Sequence, residues 1–383
     1  MHQYSLFNYG NMMSDRVRMG AYCAALEKSI KLGDVVVDLG AGSGILTLHA
    51  CRLGAATVHA IEPNAAIETM REVVAANGFK DRVVFHQVMS KEFELPSGCD
   101  VLVADLHGVL PLYERGIETM ADARRRLLKP GGVIIPGSDQ LKLALVESAE
   151  DYGRHDNPWR RDNDGFDFEA ARRRLIQEPS PVRLEPSQLL SDDVLWSVLD
   201  YNCTDYANVG GSVDVTARRD GVAHGFTVWF ESELVPGVST SNAPGHPRMI
   251  YGQNFFPFTE PVPIKAGNTV SIDLQASPVG GDYIWRWDSG IAGTAGGTKR
   301  ALFRQSTFSG LPVSLEELRR RSDGHVPALN DEGHVQRRTL ELMADSSQLG
   351  DIASRLMSEF PGKFPSWEDA LRFAGDLSAR FSR

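Results

Sequence analysis

Two carboxylates carry the first chemical signal. In "DVLVADLHGVLPLYERG", Asp105 and Glu114 flank a stretch that is too apolar for an ordinary exposed loop. A guanidinium is protonated at any physiological pH and shares its lone pairs with the central carbon, so by itself it is a poor nucleophile. Two carboxylates gripping it by forked hydrogen bonds would fix its plane and draw charge toward the nitrogens they hold. The remaining nitrogen could then be aligned with an electrophile, and positioning with electrostatics would supply most of the rate. Without such a cation the two acids would repel, and one would tend to take up a proton. Seen alone, Asp105 could equally be a strand-end residue, and Glu114 an acid favoured by a helix dipole.

The second signal is a glycine turn. "VVVDLGAGSGILTLHA" ends a β-branched run with Gly40, Gly42 and Gly44 and passes into helical spacing. Glycines there let the backbone turn tightly and approach a ligand closely. The dinucleotide pattern GxGxxG is not met, because its last position is Ile45, which leaves GxGxG. Glu62, followed by Pro63, closes the next strand-like run, where a carboxylate can accept both hydroxyls of a ribose. Asp38, just before the glycines, fits a site that must also hold a positive ligand. A lone glycine pattern is more often a plain strand-to-helix turn, but three features in register favour a nucleotide-like cofactor. A nicotinamide enzyme is the runner-up reading of this motif.

Elements that would position these residues alternate from residue 20 to about 135. Helix-like "AYCAALEKSI" precedes the run "VVVDL", and helix-like "AAIETMREVVAANG" lies between "TVHAIE" and "RVVFHQV". "DVLVADL" is a further strand, "YERGIETMADARRRLLKPGG" a helix ending at Pro130, and "VIIPG" another strand. Strands alternating with helices imply βαβ units and a parallel sheet. After Pro136 the pattern becomes short alternating stretches such as "LKLALVES", "GFTVWFESEL" and "TVSIDLQAS", an antiparallel barrel or sandwich. From Ser309 the chain turns helical again. The expected fold is a Rossmann-like α/β domain over 1–136, a β-barrel over 137–308 and a small helical, winged-helix-like module over 309–383.

Several segments, in order, resemble the protein arginine methyltransferases of the class I S-adenosylmethionine-dependent fold. The glycine turn with Glu62 resembles that class's first motif and its acidic follower. "DLHGVLPLYERG" resembles the family's double-acid loop, with Gly108 and Leu112 to Glu114 in register, and "LKPGGVIIP" resembles the end of its cofactor domain. "MMSDRVRMGAY" resembles its N-terminal threshold helix, "DGFDFEAARRRLIQEP" its dimerisation arm, and "IYGQNFFPFTEPVPIKAGNTV" its barrel strands. The resemblance spans roughly residues 4 to 300. It implies S-adenosylmethionine as cofactor, with Ser90 and Lys91 at the adenine and Arg18 on the cofactor carboxylate. It also implies Asp105 and Glu114 as the catalytic acids, Met12 facing the active site, and a homodimer joined by an arm at about 152–180 with Phe166 and Phe168 as anchors.

The chain departs from that pattern at several positions. The first acid is Asp105 where the family uses Glu, shorter by one C–C bond, ~1.5 Å. The family's Thr-His-Trp stretch is replaced by Met249, Ile250 and Tyr251, which vacates the histidine's supporting role. Gln253 or Asn254, or alternatively His107 or His246, are candidates to cover it, although a lone histidine is more often structural. Met12 with Tyr251, Gln253 and Asn254 is expected to shape the acceptor pocket. Fewer peptide-gripping features favour a small guanidine, such as free arginine, over arginine in a peptide. A methyltransferase acting on an uncharged natural product, and a non-catalytic scaffold that merely binds S-adenosylmethionine, are the rival readings.

Composition bounds the remainder. The 383 residues carry a formal charge of −10, which argues against a general nucleic-acid or anionic-membrane binder. The four cysteines are widely spaced without a CxxC pair, so a metal site is not expected and a reducing cytoplasm is. No signal pattern or spanning apolar run is evident.

Overall fold

The computed structural model describes residues 5–160, 163–292 and 299–382. Five strands, β1 (Val35–Leu39), β2 (Thr57–Ile61), β3 (Val83–His86), β4 (Cys99–Ala104) and β5 (Leu128–Ile135), form a parallel sheet in the order β3-β2-β1-β4-β5. Val36, Val37, Val101, Leu102 and Val103 are fully buried, as strands covered on both faces require. Helices α1 (Leu6–Ser14) and α2 (Arg16–Ser29) precede the sheet; α3 (Ile45–Arg52), α4 (Ala66–Ala76) and α5 (Gly116–Leu127) connect its strands. Strand order reverses between β1 and β4, so their carboxyl ends open a crevice where ligands of such sheets bind. In register, Leu39 lies opposite Ala104, which sets Gly40 and Asp105 side by side.

The helix expected to end at Pro130 ends earlier. Helix α5 stops at Leu127, and Leu128 through the proline and glycines already belongs to β5. It also begins only at Gly116, so Tyr113 to Arg115 form a turn rather than a first helical turn.

The antiparallel part follows as ten strands: β6 (Ser138–Val146), β7 (Ser180–Val182), β8 (Val194–Asp200), β9 (Val209–Thr216), β10 (Gly221–Val235), β11 (Val238–Ser241), β12 (Gln253–Ile264), β13 (Thr269–Val279), β14 (Asp282–Ala292) and β15 (Lys299–Ser306). One sheet runs β7-β12-β10-β6-β8 with β11 on β10, the other β15-β14-β13-β9. They enclose an aromatic core in which Phe256 stacks on Phe226 and meets Trp285 and Trp287 edge-on. The buried indoles of Trp196 and Trp287 donate to the carbonyls of Leu274 and Pro257, so neither is left unpaired. Helices α6 (Ala149–Arg160) and α7 (Glu169–Leu175) make the arm, and α8 (Thr307–Gly310) ends this unit. Phe166 is 72 % exposed on the arm and Phe168 is partly exposed, touching Trp159.

Residues 312–383 form a second compact unit. It contains α9 (Leu315–Arg320), α10 (Asp331–Ala344), α11 (Leu349–Glu359) and α12 (Trp367–Phe381). Among its described residues there is no strand, so the wing of a winged-helix module is missing. Val335, Leu342, Ile352, Leu356 and Ala374 are its core, with Phe360, Phe364 and Phe373 packed against them; Trp367 and Phe381 stay exposed.

Candidate active site

The glycine turn is held by its own acid. Gly40, Gly42 and Gly44 all take positive φ, a conformation that side chains rarely adopt. Glu62, 3 % exposed, accepts the Gly42 N–H through one oxygen and the Asn64 N–H through the other, both at 2.9 Å. A carboxylate oxygen has two acceptor sites, so each retains one for a ligand hydroxyl. A Cβ at Gly42 would lie 2.5 Å from the Tyr9 ring of α1, and one at Gly44 equally close to Met70 of α4. Gly42 therefore lets α1 lie across the turn, whereas Gly44 serves the packing of α3 on α4. Helix α1 buries none of its residues, and Met13 takes a hydrogen bond from the Ser43 hydroxyl.

Asp38 has a different role from the expected one. Its carboxyl is buried and accepts the Thr47 hydroxyl at 2.6 Å, tying β1 to α3. Burial pushes it up to about 6, against the effect of the Thr47 hydrogen bond. The folded protein thus keeps a proton that the unfolded chain releases, and stability falls as pH rises from about 4 to about 6. Asp38→Asn, which can still accept from Thr47, is expected to match the wild type near pH 4. By pH 7 it should be more stable by about 1–3 kcal/mol in urea unfolding; an equal difference at both pH values would contradict this.

Asp105 lies at the centre of a buried ion cluster. Tyr22 of α2 donates to the Ala104 carbonyl at the end of β4, which brings Arg18, one helical turn earlier, against the acid. The Arg18 guanidinium engages Asp105 Oδ2 through both Nε and Nη2, and its Nη1 donates to the Met12 carbonyl at 3.0 Å. Both side chains are 6 % exposed. On the other side His107 Nδ1 lies 3.2 Å from Asp105 Oδ1, and the Tyr251 hydroxyl donates to the same oxygen at 3.2 Å. Burial alone would raise the Asp105 carboxyl; the Arg18 charge and the His107 hydrogen bond reverse this and hold it well below the usual carboxylate range. The cation that an acid of this kind needs is thus supplied by the chain itself.

Glu114 lies in the turn before α5 with a left-handed backbone, φ 45. It is half-buried, and among the described residues no hydrogen bond or ion pair engages its carboxylate. Met12 is half-buried on α1, and Pro63 half-buried beside Glu62. The Ser90 carbonyl accepts from Arg126, and Lys91 is exposed. The barrel residues divide. Tyr251 reaches Asp105, but Gln253 does not: its amide accepts the Leu184 N–H and donates to the Asn242 carbonyl, bracing β12 to its neighbours. Asn254 alternates to the opposite face of β12, and its carbonyl accepts from Thr227. Neither amide takes over the absent histidine's role at Glu114.

The residues at the crevice fit S-adenosylmethionine. A turn that no Cβ could enter, a buried acid with spare acceptor sites at its rim and a guanidinium nearby match the adenosine, ribose and carboxylate of that molecule. Residues 21–138 match the family model described as ribosomal protein L11 methyltransferase (PrmA), and residues 139–283 that of the arginine methyltransferase oligomerization subdomain. The chain is 31 % identical over 272 residues, 69 % of its length and 74 % of the relative's, to an arginine N(omega)-methyltransferase of Streptomyces achromogenes subsp. streptozoticus. It is 30 % identical to protein arginine N-methyltransferase 6 of Xenopus tropicalis over 70 % of this chain and 82 % of that one. The chain belongs to the arginine methyltransferase family.

Solved arginine methyltransferases share its fold. The Trypanosoma brucei PRMT1 enzyme–prozyme complex with AdoHcy superposes with a TM-score of 0.71 at 23 % identity, covering 78 % of this chain and 97 % of that one. Protein arginine methyltransferase 10 of Arabidopsis thaliana gives 0.70 at 22 %, covering 79 % and 98 %. Within this family fold, the pairing of Arg18 with Asp105 and the barrel groups behind His107 were invisible to motif reading. His107 was only one of several candidates; the polar Asp139 in the apolar strand "SDQLKLALV" was the remaining signal.

Proposed function

We propose that this chain methylates a guanidine nitrogen, with S-adenosylmethionine as methyl donor and a small arginine-like molecule as acceptor. The observation that carries the reading is Asp105: its buried carboxylate already holds a guanidinium, that of Arg18, through Nε and Nη2, so it is charged and placed for this chemical group. Bound S-adenosylmethionine supplies an electrophilic methyl on its sulfonium. Gly40, Gly42 and Glu62, with Ser90, Lys91 and Arg18, are the residues that would hold it. Asp105 and Glu114 orient the acceptor's guanidinium plane and stabilise its charge in a site with little water. As one nitrogen takes the methyl from the sulfonium it sheds a proton, and Glu114 is the acid we assign to receive it.

The preference for a small acceptor rests on the barrel side. A cavity of 130 Å³ beside Tyr251 and Gln253 is bordered by Arg183 and by the Arg248–Glu185 ion pair, polar groups that suit the charged end of a free amino acid. The named activity of the Streptomyces relative points the same way. The exposed arm aromatics support a homodimer, and the four free cysteines support a reducing, cytoplasmic setting. Among the described residues no helix is long and apolar enough to cross a membrane.

Mass spectrometry of reactions offered L-arginine, agmatine or arginine-rich peptides tests this. A one-methyl gain is expected on arginine, with less on agmatine, which lacks the carboxylate. A gain on peptides alone would overturn the small-molecule assignment, and no gain on any guanidine would overturn the guanidine reading.

A further inference from the structure

His107 stands between two carboxylates. Its Nδ1 faces Asp105 Oδ1 at 3.2 Å and its Nε2 faces Asp139 Oδ2 at 2.9 Å. A carboxylate only accepts, and a neutral imidazole has only one N–H, so both contacts are satisfied together only by the imidazolium. Asp139 is itself fully buried and fully bonded. Ser232, directly opposite it in the β6–β10 register, donates to Oδ1, and the Tyr201 hydroxyl donates to Oδ2 at 2.6 Å. The ring is stacked on Phe230 at 5.0 Å, which holds its plane. Arg18 and His107 balance Asp105 and Asp139, two cations against two acids.

We propose that His107 is a positioning residue: as a standing cation it ties Asp105 to the barrel through Asp139 and thereby fixes which edge of Asp105 faces a guanidinium. The proposal rests on the guanidine-transfer reading for its catalytic consequence, but the bridge itself is open to test without turnover. It also explains how a shorter acid works here. With Oδ1 held by His107 and Tyr251 and Oδ2 by the Arg18 guanidinium, the Asp105 carboxylate cannot swing.

His107 itself meets Asp105 of its own loop and Asp139 from β6; around these two acids lie Arg18 from α2, Tyr201 after β8, Ser232 from β10 and Tyr251 before β12. Burial would lower His107, but the Asp139 charge and the hydrogen bonds to both acids raise it to about 10. Once it deprotonates, one carboxylate faces a ring lone pair and Asp105 loses its fixed plane. The wild type is therefore expected to lose kcat as pH approaches about 10.

His107→Gln, which can donate to Asp105 but cannot titrate, should remove this alkaline limb and lower kcat by about 10²-fold at pH 8. Calorimetric affinity for S-adenosylhomocysteine should stay within a few-fold, showing an intact fold. Tyr251→Phe should keep the limb, separating His107 from that phenol. If His107→Gln retains the limb, or keeps wild-type kcat, the proposal fails. NMR titration of the ring, assigned by the signal lost in His107→Gln, gives an independent reading: protonation persisting beyond pH 9 supports the bridge, and a midpoint near 6.5 overturns it. If no guanidine is turned over, the functional reading falls, and this titration alone judges the bridge.

Discussion

Asp105→Asn is expected to reduce kcat/KM for the guanidine acceptor by about 10²–10³-fold, the loss typical of removing one preorganised electrostatic stabiliser. The side chain keeps its size, but its charge is gone and its amide nitrogen donates where Asp105 only accepted. His107 would then keep Asp139, while the buried Arg18 guanidinium would lose the carboxylate it sits on. Breaking a buried pair by removing one partner costs about 3–5 kcal/mol, so a fall in melting temperature should accompany the kinetic loss. The two effects separate by experiment: kcat/KM is read at a temperature where S-adenosylhomocysteine binding shows the protein folded. Near-wild-type turnover would sink the guanidine clamp and favour an uncharged acceptor.

Glu62→Gln should have the next largest effect, on cofactor affinity. Both Glu62 oxygens already accept backbone N–H groups, from Gly42 and Asn64. Glutamine can satisfy one of them, while its NH₂ meets the other donor head-on, and a buried unsatisfied donor costs about 1–3 kcal/mol. Charge-assisted bonds to a ligand's hydroxyls are lost as well. Calorimetry with S-adenosylhomocysteine should show Kd raised by about 10²-fold or more, from roughly 3 kcal/mol of lost interaction. An unchanged Kd would remove Glu62 from the cofactor site.

Much of the molecule was legible in sequence because its signals are local. The runs Val35–Leu39 and Cys99–Ala104, each leading to a chemically loaded turn, announce buried parallel strands, and the alternation in "TVSIDLQAS" announces an antiparallel one. Glu62 was legible because strand, turn and acid follow at short range. Asp38 misled, since a carboxylate before a glycine turn looks the same in sequence whether it meets a ligand or Thr47. Gln253 lines the cavity beside Tyr251, but only the fold shows that Leu184 and Asn242 engage its amide. The polar residues that complete the acid cluster are far apart in the chain, Arg18, His107, Asp139, Tyr201 and Ser232, and no periodicity links them. The C-terminal aromatics show the limit of composition, since Trp367 and Phe381 lie outside the core that smaller aliphatics build.

The acid loop follows a strand of the cofactor sheet, yet its fastenings are elsewhere. His107 is bound to β6, Asp105 to Tyr251, and the Val109 carbonyl to Asn242. A chain cut after the parallel sheet would therefore keep Arg18 on Asp105 but lose the groups that hold the other carboxylate oxygen and the outer nitrogen of His107. The sheet and the barrel are thus joined at this loop: groups from both hold the Asp105 carboxylate in one orientation.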